Sequence, residues 1–171
     1  MQLAYIVSLF LFFTISFSQD QPYTYDRMKD SLYSWQEQYG NTSHPSNDYS
    51  SFGIIYSLDS IGYSSNDNLP IYAVKLSANV NSSTPEPKVL ILGQCHAEEI
   101  YGVEIAMELI DWLLHPNAFY PVNYLDRKMA IENTELWIIP TYNPEGLSVV
   151  HGWYDDLNVW NQDVYFRKNK G

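Results

Sequence analysis

The sequence has 171 residues, 20 acidic side chains against 9 basic ones, and a formal net charge of −11. The length fits one domain, and 46% hydrophobic with 16% aromatic residues can build a core, which excludes the composition of a disordered chain. The acidity excludes a surface built to neutralise phosphates, so no nucleic-acid partner is expected, and the single cysteine, Cys95, excludes a disulfide scaffold or a multi-cysteine metal site.

From Leu3 to Phe17 the chain is apolar and uncharged, and Ser16-Phe17-Ser18 supplies the small-x-small pattern that suits a signal peptidase. Residues 1–18 therefore read as a signal peptide and residues 19–171 as the mature chain, secreted or periplasmic. An uncleaved leader would anchor the protein instead, since about 17 to 25 apolar residues can span a bilayer. After cleavage no membrane association is expected, and the sequence sets no oligomeric state.

Tyr25, Met28, Leu32, Trp35 and Tyr39 alternate steps of three and four, which predicts a helix with Thr24 as its cap and Gly40 as its end. Phe52–Leu58 and Ile71–Leu76 read as strands of a hairpin, joined through the turn residues Ser64 to Asn68. Val89–Gly93 is an unbroken apolar run of the kind expected for a strand buried on both faces. A long helix is predicted from Ala97 to Leu114, with Glu98 and Glu99 in its first turn, where the dipole favours negative charge. Leu125–Ile131 reads as a short helix, Leu136–Ile139 as a core strand, and Asn143-Pro144-Glu145-Gly146 as a turn. The alternation predicts an α/β fold with a mixed sheet.

Gly93-Gln94-Cys95-His96-Ala97-Glu98-Glu99 falls where the apolar strand gives way to the long helix, the edge at which open α/β sheets bind ligands. His96 and Glu99 stand three apart, so both side chains can turn the same way and meet one ion; imidazole and carboxylate are both good zinc ligands. On spacing alone the alternative stays open: a histidine capping the helix and a glutamate meeting its dipole, since H-x-x-E pairs arise often by chance. Cys95 should point away from its neighbour His96 and reads as a small packed residue rather than a nucleophile.

The wider pattern resembles the zinc carboxypeptidase family. A helix from about Tyr23 leads to a strand at Phe52–Leu58, then Ile61-Gly62-Tyr63-Ser64, a strand from Pro70, Gly-x-x-H-x-x-E, Ile138-Ile139-Pro140, Asn143-Pro144-Glu145-Gly146 and Phe166-Arg167-Lys168-Asn169, all in the family's order. The resemblance covers about residues 23 to 171 and implies the family's mixed-sheet αβα fold, present only in part. It implies a secreted zinc peptidase of carboxypeptidase type, acting on peptide or protein substrates through a zinc-bound water. His96 and Glu99 match the first two zinc ligands, and Arg167 matches the catalytic arginine that stabilises the oxyanion. Glu98 departs from the digestive members, which carry an arginine between the ligands. The family's second histidine ligand, its glutamate base and its Asn-Arg carboxylate clamp lie beyond the arginine that matches Arg167, whereas this sequence ends at Gly171. Of the other histidines, His44, His115 and His151, the last is the nearest substitute ligand but sits in a stretch that matches no ligand motif. The resemblance thus implies a catalytically incomplete chain. The rivals are a non-catalytic binding module of the same fold and a zinc amidohydrolase acting on acylated amino acids.

Overall fold

A computed structural model describes residues 21–82, 85–115 and 124–169; the apolar run at Leu3–Phe17 lies outside the described residues. Helix α1 (Tyr25–Tyr39) begins where the Thr24 hydroxyl accepts the Arg27 N–H at 3.3 Å and ends where Gly40 donates to the Gln36 carbonyl at 3.0 Å. Its periodic residues Tyr25, Met28, Leu32, Trp35 and Tyr39 are all buried, the face that the spacing predicts. Full burial of a side chain such as Met28 or Leu32 contributes about 1.5–3 kcal/mol. Tyr56 fixes the helix on the sheet by donating its hydroxyl to the Leu32 carbonyl at 3.0 Å.

Strands β1 (Tyr56–Tyr63) and β2 (Pro70–Leu76) form the expected antiparallel hairpin, with a register shift between Ser60 and Gly62. Then come β3 (Lys88–Gln94), α2 (Ile100–Leu114), α3 (Tyr124–Asn133), β4 (Glu135–Thr141), α4 (Pro144–His151) and a two-strand ribbon, β5 (Trp153–Tyr154) and β6 (Trp160–Asn161). The main sheet runs β1-β2-β4-β3, with β4 antiparallel to β2 and parallel to β3. This is the mixed α/β layering that the order of elements predicts. Val74, Ile138 and Ile91 stand abreast on the face toward the helices and share one core with Met28, Leu32, Val103, Met107, Ile110, Ile131 and Leu147. On the opposite face Lys75, Trp137 and Leu90 stand abreast.

Four sequence expectations shift. The first strand starts at Tyr56 rather than Phe52; Phe52 and Ile55 are buried in the preceding loop, which is tied to the segment after β2 by Gly53 N–H to Ala78 O at 2.8 Å and Val80 N–H to Ile54 O at 2.8 Å. The run Val89–Leu92 is not buried on both faces. β3 is an edge strand in the described sheet, and Val89, Leu90 and Leu92 are 40%, 60% and 51% exposed. The long helix begins at Ile100, so Glu98 and Glu99 precede it and its first turn holds no acid. The Asn143–Gly146 turn opens a further helix, α4, with Asn143 as its cap and Pro144 at its first position, the place a missing N–H costs nothing.

Among the described residues no helix is long and apolar enough to cross a membrane.

Candidate functional site

Three backbone segments meet at the carboxyl ends of β3 and β4. Glycine allows the approach: a Cβ on Gly93 would lie 2.2 Å from the Pro140 carbonyl oxygen, and one on Gly102 would lie 2.8 Å from the Gln94 nitrogen. The start of α2 therefore packs directly on the end of β3, with the loop from Cys95 to Glu99 folded over the junction. That loop is a tight turn in which Glu99 N–H donates to the His96 carbonyl at 3.0 Å, and Glu99 then precedes the helix with φ −83° and ψ 49°.

The turn brings the two predicted ligands together. His96 Nδ1 and Glu99 Oε1 are 2.8 Å apart, and the His96 N–H donates to Glu99 Oε2 at 3.1 Å. These bonds from the backbone and ring of His96 hold the Glu99 carboxyl below the usual carboxylate range, with Arg167 adding to the effect. The carboxylate is ionised at neutral pH, as a metal ligand must be. The donor types suit zinc: an imidazole nitrogen and a carboxylate oxygen lie side by side, both partly exposed. Among the described residues no group of three or more His, Cys, Asp or Glu side chains converges on one point.

Arg167, 71 residues along the chain, joins them. Its Nη2 lies 3.4 Å from His96 Nε2, its Nη1 pairs with Glu98 Oε1, and its backbone carbonyl accepts the Ala97 N–H at 3.3 Å. Glu98, placed between His96 and Glu99 in sequence, thus points across the loop to hold the guanidinium. The other histidines stay away from this opening. His44 bonds the Leu114 carbonyl at 2.8 Å, His115 bonds the Tyr39 hydroxyl at 2.8 Å, and His151 is held by burial below the usual imidazole range at the end of α4.

Two further residues lie beside the site: Asn143, which the sequence reads only as part of a structural turn, and Tyr142, which it does not single out. Asn143 bonds into both the Cys95 loop and the Arg167 segment. Tyr142 places its hydroxyl against the Cys95 thiol, and this contact, together with burial and the nearby Glu99 charge, raises the phenol above its ordinary range. Cys95 is half-buried beside that phenol.

A family model described as zinc carboxypeptidase matches residues 33–170. Carboxypeptidase SOL1 of Arabidopsis thaliana is 30% identical over 95 residues, 56% of this chain and 18% of that protein. A zinc carboxypeptidase of Saccharothrix mutabilis subsp. capreolus is 30% identical over 106 residues, 62% of this chain and 21% of that protein. The crystal structure of carboxypeptidase A from Helicoverpa armigera superposes with a TM-score of 0.65 and 18% identity, covering 89% of this chain and 30% of that one. The aligned part thus spans about a fifth of each curated relative and under a third of the insect enzyme.

Proposed function

The chain belongs to the zinc carboxypeptidase family, and we propose that it forms the N-terminal part of the active site of a secreted metallopeptidase that hydrolyses peptide bonds of carboxypeptidase type. The observation that carries the reading is the convergence of His96, Glu99 and Arg167, drawn from two distant segments, at the carboxyl end of the sheet. Family membership supports zinc as the metal, and the apolar Leu3–Phe17 run supports export.

His96 through a ring nitrogen and Glu99 through its carboxylate would hold the zinc ion. When bound, zinc supplies Lewis acidity toward a scissile carbonyl and acidifies a water molecule. Arg167 offers N–H donors beside that position, suited to the negative charge that gathers on the carbonyl oxygen as it becomes tetrahedral. Glu98 tethers the exposed guanidinium, and its charge-assisted bond to Nη1 leaves Nη2 directed toward His96. The remaining parts of the reaction, a third ligand and a general base, are proposed to lie outside this chain, which makes it inactive by itself. Loss of a general base alone costs about 10²- to 10⁴-fold in rate.

The test is zinc affinity of the purified chain by competition with a chromophoric chelator, alongside hydrolysis of a blocked dipeptide in added zinc. His96→Ala and Glu99→Ala should each weaken zinc binding at least about tenfold, with no dipeptide turnover from any variant. Equal zinc affinity in all three proteins would remove the metal site. Turnover by the parent chain that disappears in His96→Ala would overturn the claim of incompleteness.

A further inference from the structure

The side chains of Arg167 and the 95–99 loop meet only at the surface, where the guanidinium touches Glu98 and His96 and is itself largely exposed. What sets their relative position is a buried polar connection beneath them. Gln94, Thr141 and Asn143 are 0%, 2% and 4% exposed, and each hydrogen bond among them has a clear donor. Gln94 Nε2 donates to the Ala97 carbonyl at 2.6 Å, the Thr141 hydroxyl donates to Gln94 Oε1 at 2.6 Å, and the Asn143 N–H donates to the Thr141 hydroxyl oxygen at 3.0 Å. The Asn143 side chain then divides its work. Its Oδ1 accepts the Gly146 N–H at 3.0 Å and caps α4, while Nδ2 donates to the Cys95 carbonyl at 3.2 Å and the Lys168 carbonyl at 3.4 Å.

We propose that Asn143 is a positioning residue: its amide group clamps the residue before His96 to the residue after Arg167 and so fixes the arginine against the metal-ligand loop. The clamp has an inner partner in the Ala97 N–H to Arg167 carbonyl bond at 3.3 Å, so the loop is held on either side of His96 and the distant segment at Arg167 and Lys168. Only a group that is acceptor and double donor at once serves here. Aspartate and serine both cap helices well, yet neither can donate to two carbonyls. The assignment deepens the reading of His96, Glu99 and Arg167 as parts of one site and rests on it.

The experiment uses the full chain with Asn143→Asp and Asn143→Ser, which keep a cap oxygen and remove Nδ2. Amide exchange of Ala97 and tryptic cleavage after Arg167 should both quicken about tenfold, and zinc affinity should fall about tenfold, while the melting temperature stays near that of the parent chain. Parent-like exchange, cleavage and zinc affinity in both variants would overturn the proposal. Loss of the melting transition in both would also overturn it, by assigning Asn143 to folding alone. A parent chain that takes up no zinc would remove the metal reading, while the exchange and cleavage results would still decide whether Asn143 joins the two segments.

Discussion

β2 and β3 are similarly apolar strands on either side of β4, and they differ in what covers them. In β2, Tyr72, Ala73, Val74 and Leu76 are buried, because β1 pairs on its outer side and α1 lies over the hairpin. In β3, Val89, Leu90 and Leu92 stand exposed on the two faces of a strand whose one strand neighbour among the described residues is β4. An apolar strand therefore records the environment a sequence is fitted for, and its neighbours decide the burial it obtains. Leu90 and Leu92 lie on the sheet face away from the helical core, where, among the described residues, they leave an exposed apolar strip along the open edge.

The largest effect that can sharpen this contrast is truncation in the shared strand β4. Ile138 is fully buried between Val74 of β2 and Ile91 of β3, so Ile138→Ala should cost about 3 kcal/mol in urea unfolding, from lost transfer energy and the cavity left behind. Leu90→Ala, at 60% exposure, should cost under about 0.5 kcal/mol. Equal losses would mean that β3 is covered in solution.

A smaller effect comes from the ion pairs that link the two strands. Glu135 at the start of β4 meets Lys75 of β2 at 3.2 Å and Lys88 of β3 at 3.0 Å, and accepts the Trp137 indole N–H at 2.8 Å. The Trp137 bond, followed by those from Lys88 and Lys75, holds its carboxyl at about 2, against an ordinary value of 4.5. A depressed folded value stabilises the native state above the unfolded value, and the contribution disappears as pH falls through the folded one. Stability relative to Glu135→Gln should therefore be greatest above about pH 4.5, on the order of 2 kcal/mol, and should shrink steadily toward pH 2. A difference that does not change with pH would place these lysines outside any working pair.

The parts of the fold that local rules specify were legible from the residues. α1 begins and ends where the Thr24 cap, the three-four spacing and Gly40 put it. The limits of the reading have equally local causes. His96-Ala97-Glu98-Glu99 has helix-compatible residues, but the Glu99 N–H closes a turn on the His96 carbonyl and delays α2 to Ile100. Asn-Pro-Glu-Gly suits a turn and a capped helix start alike, and only the apolar Leu147, Val149 and Val150 beyond it mark the helix. In the site, three-residue spacing allowed His96 and Glu99 to turn toward each other, as they do, but left the helix-capping reading open, and only the family resemblance favoured them as a ligand pair. Arg167 came only through family resemblance, since nothing local connects residues 71 positions apart. Asn143 was read as part of a turn that shapes the site; its cap bond through Oδ1 and the two carbonyls that Nδ2 reaches across the fold became visible only in the structure.

The smallest effect on stability bears most directly on the open surface. Lysine on an edge strand discourages pairing with another chain, because a charge must be desolvated before a new strand can add there. At Leu90 and Leu92, both exposed on the outer face, a lysine can keep its ammonium in water while its stem lies on the sheet. Leu90→Lys with Leu92→Lys should shift the unfolding free energy by less than about 0.5 kcal/mol, yet raise the concentration at which light scattering reports aggregates. The same pair of substitutions at Val74 and Leu76 should abolish folding, since both of those side chains are fully buried in the core. If the β3 variant melts lower by several kcal/mol, its leucines already pack against something in solution, and the difference between the two strands is smaller than their exposure suggests.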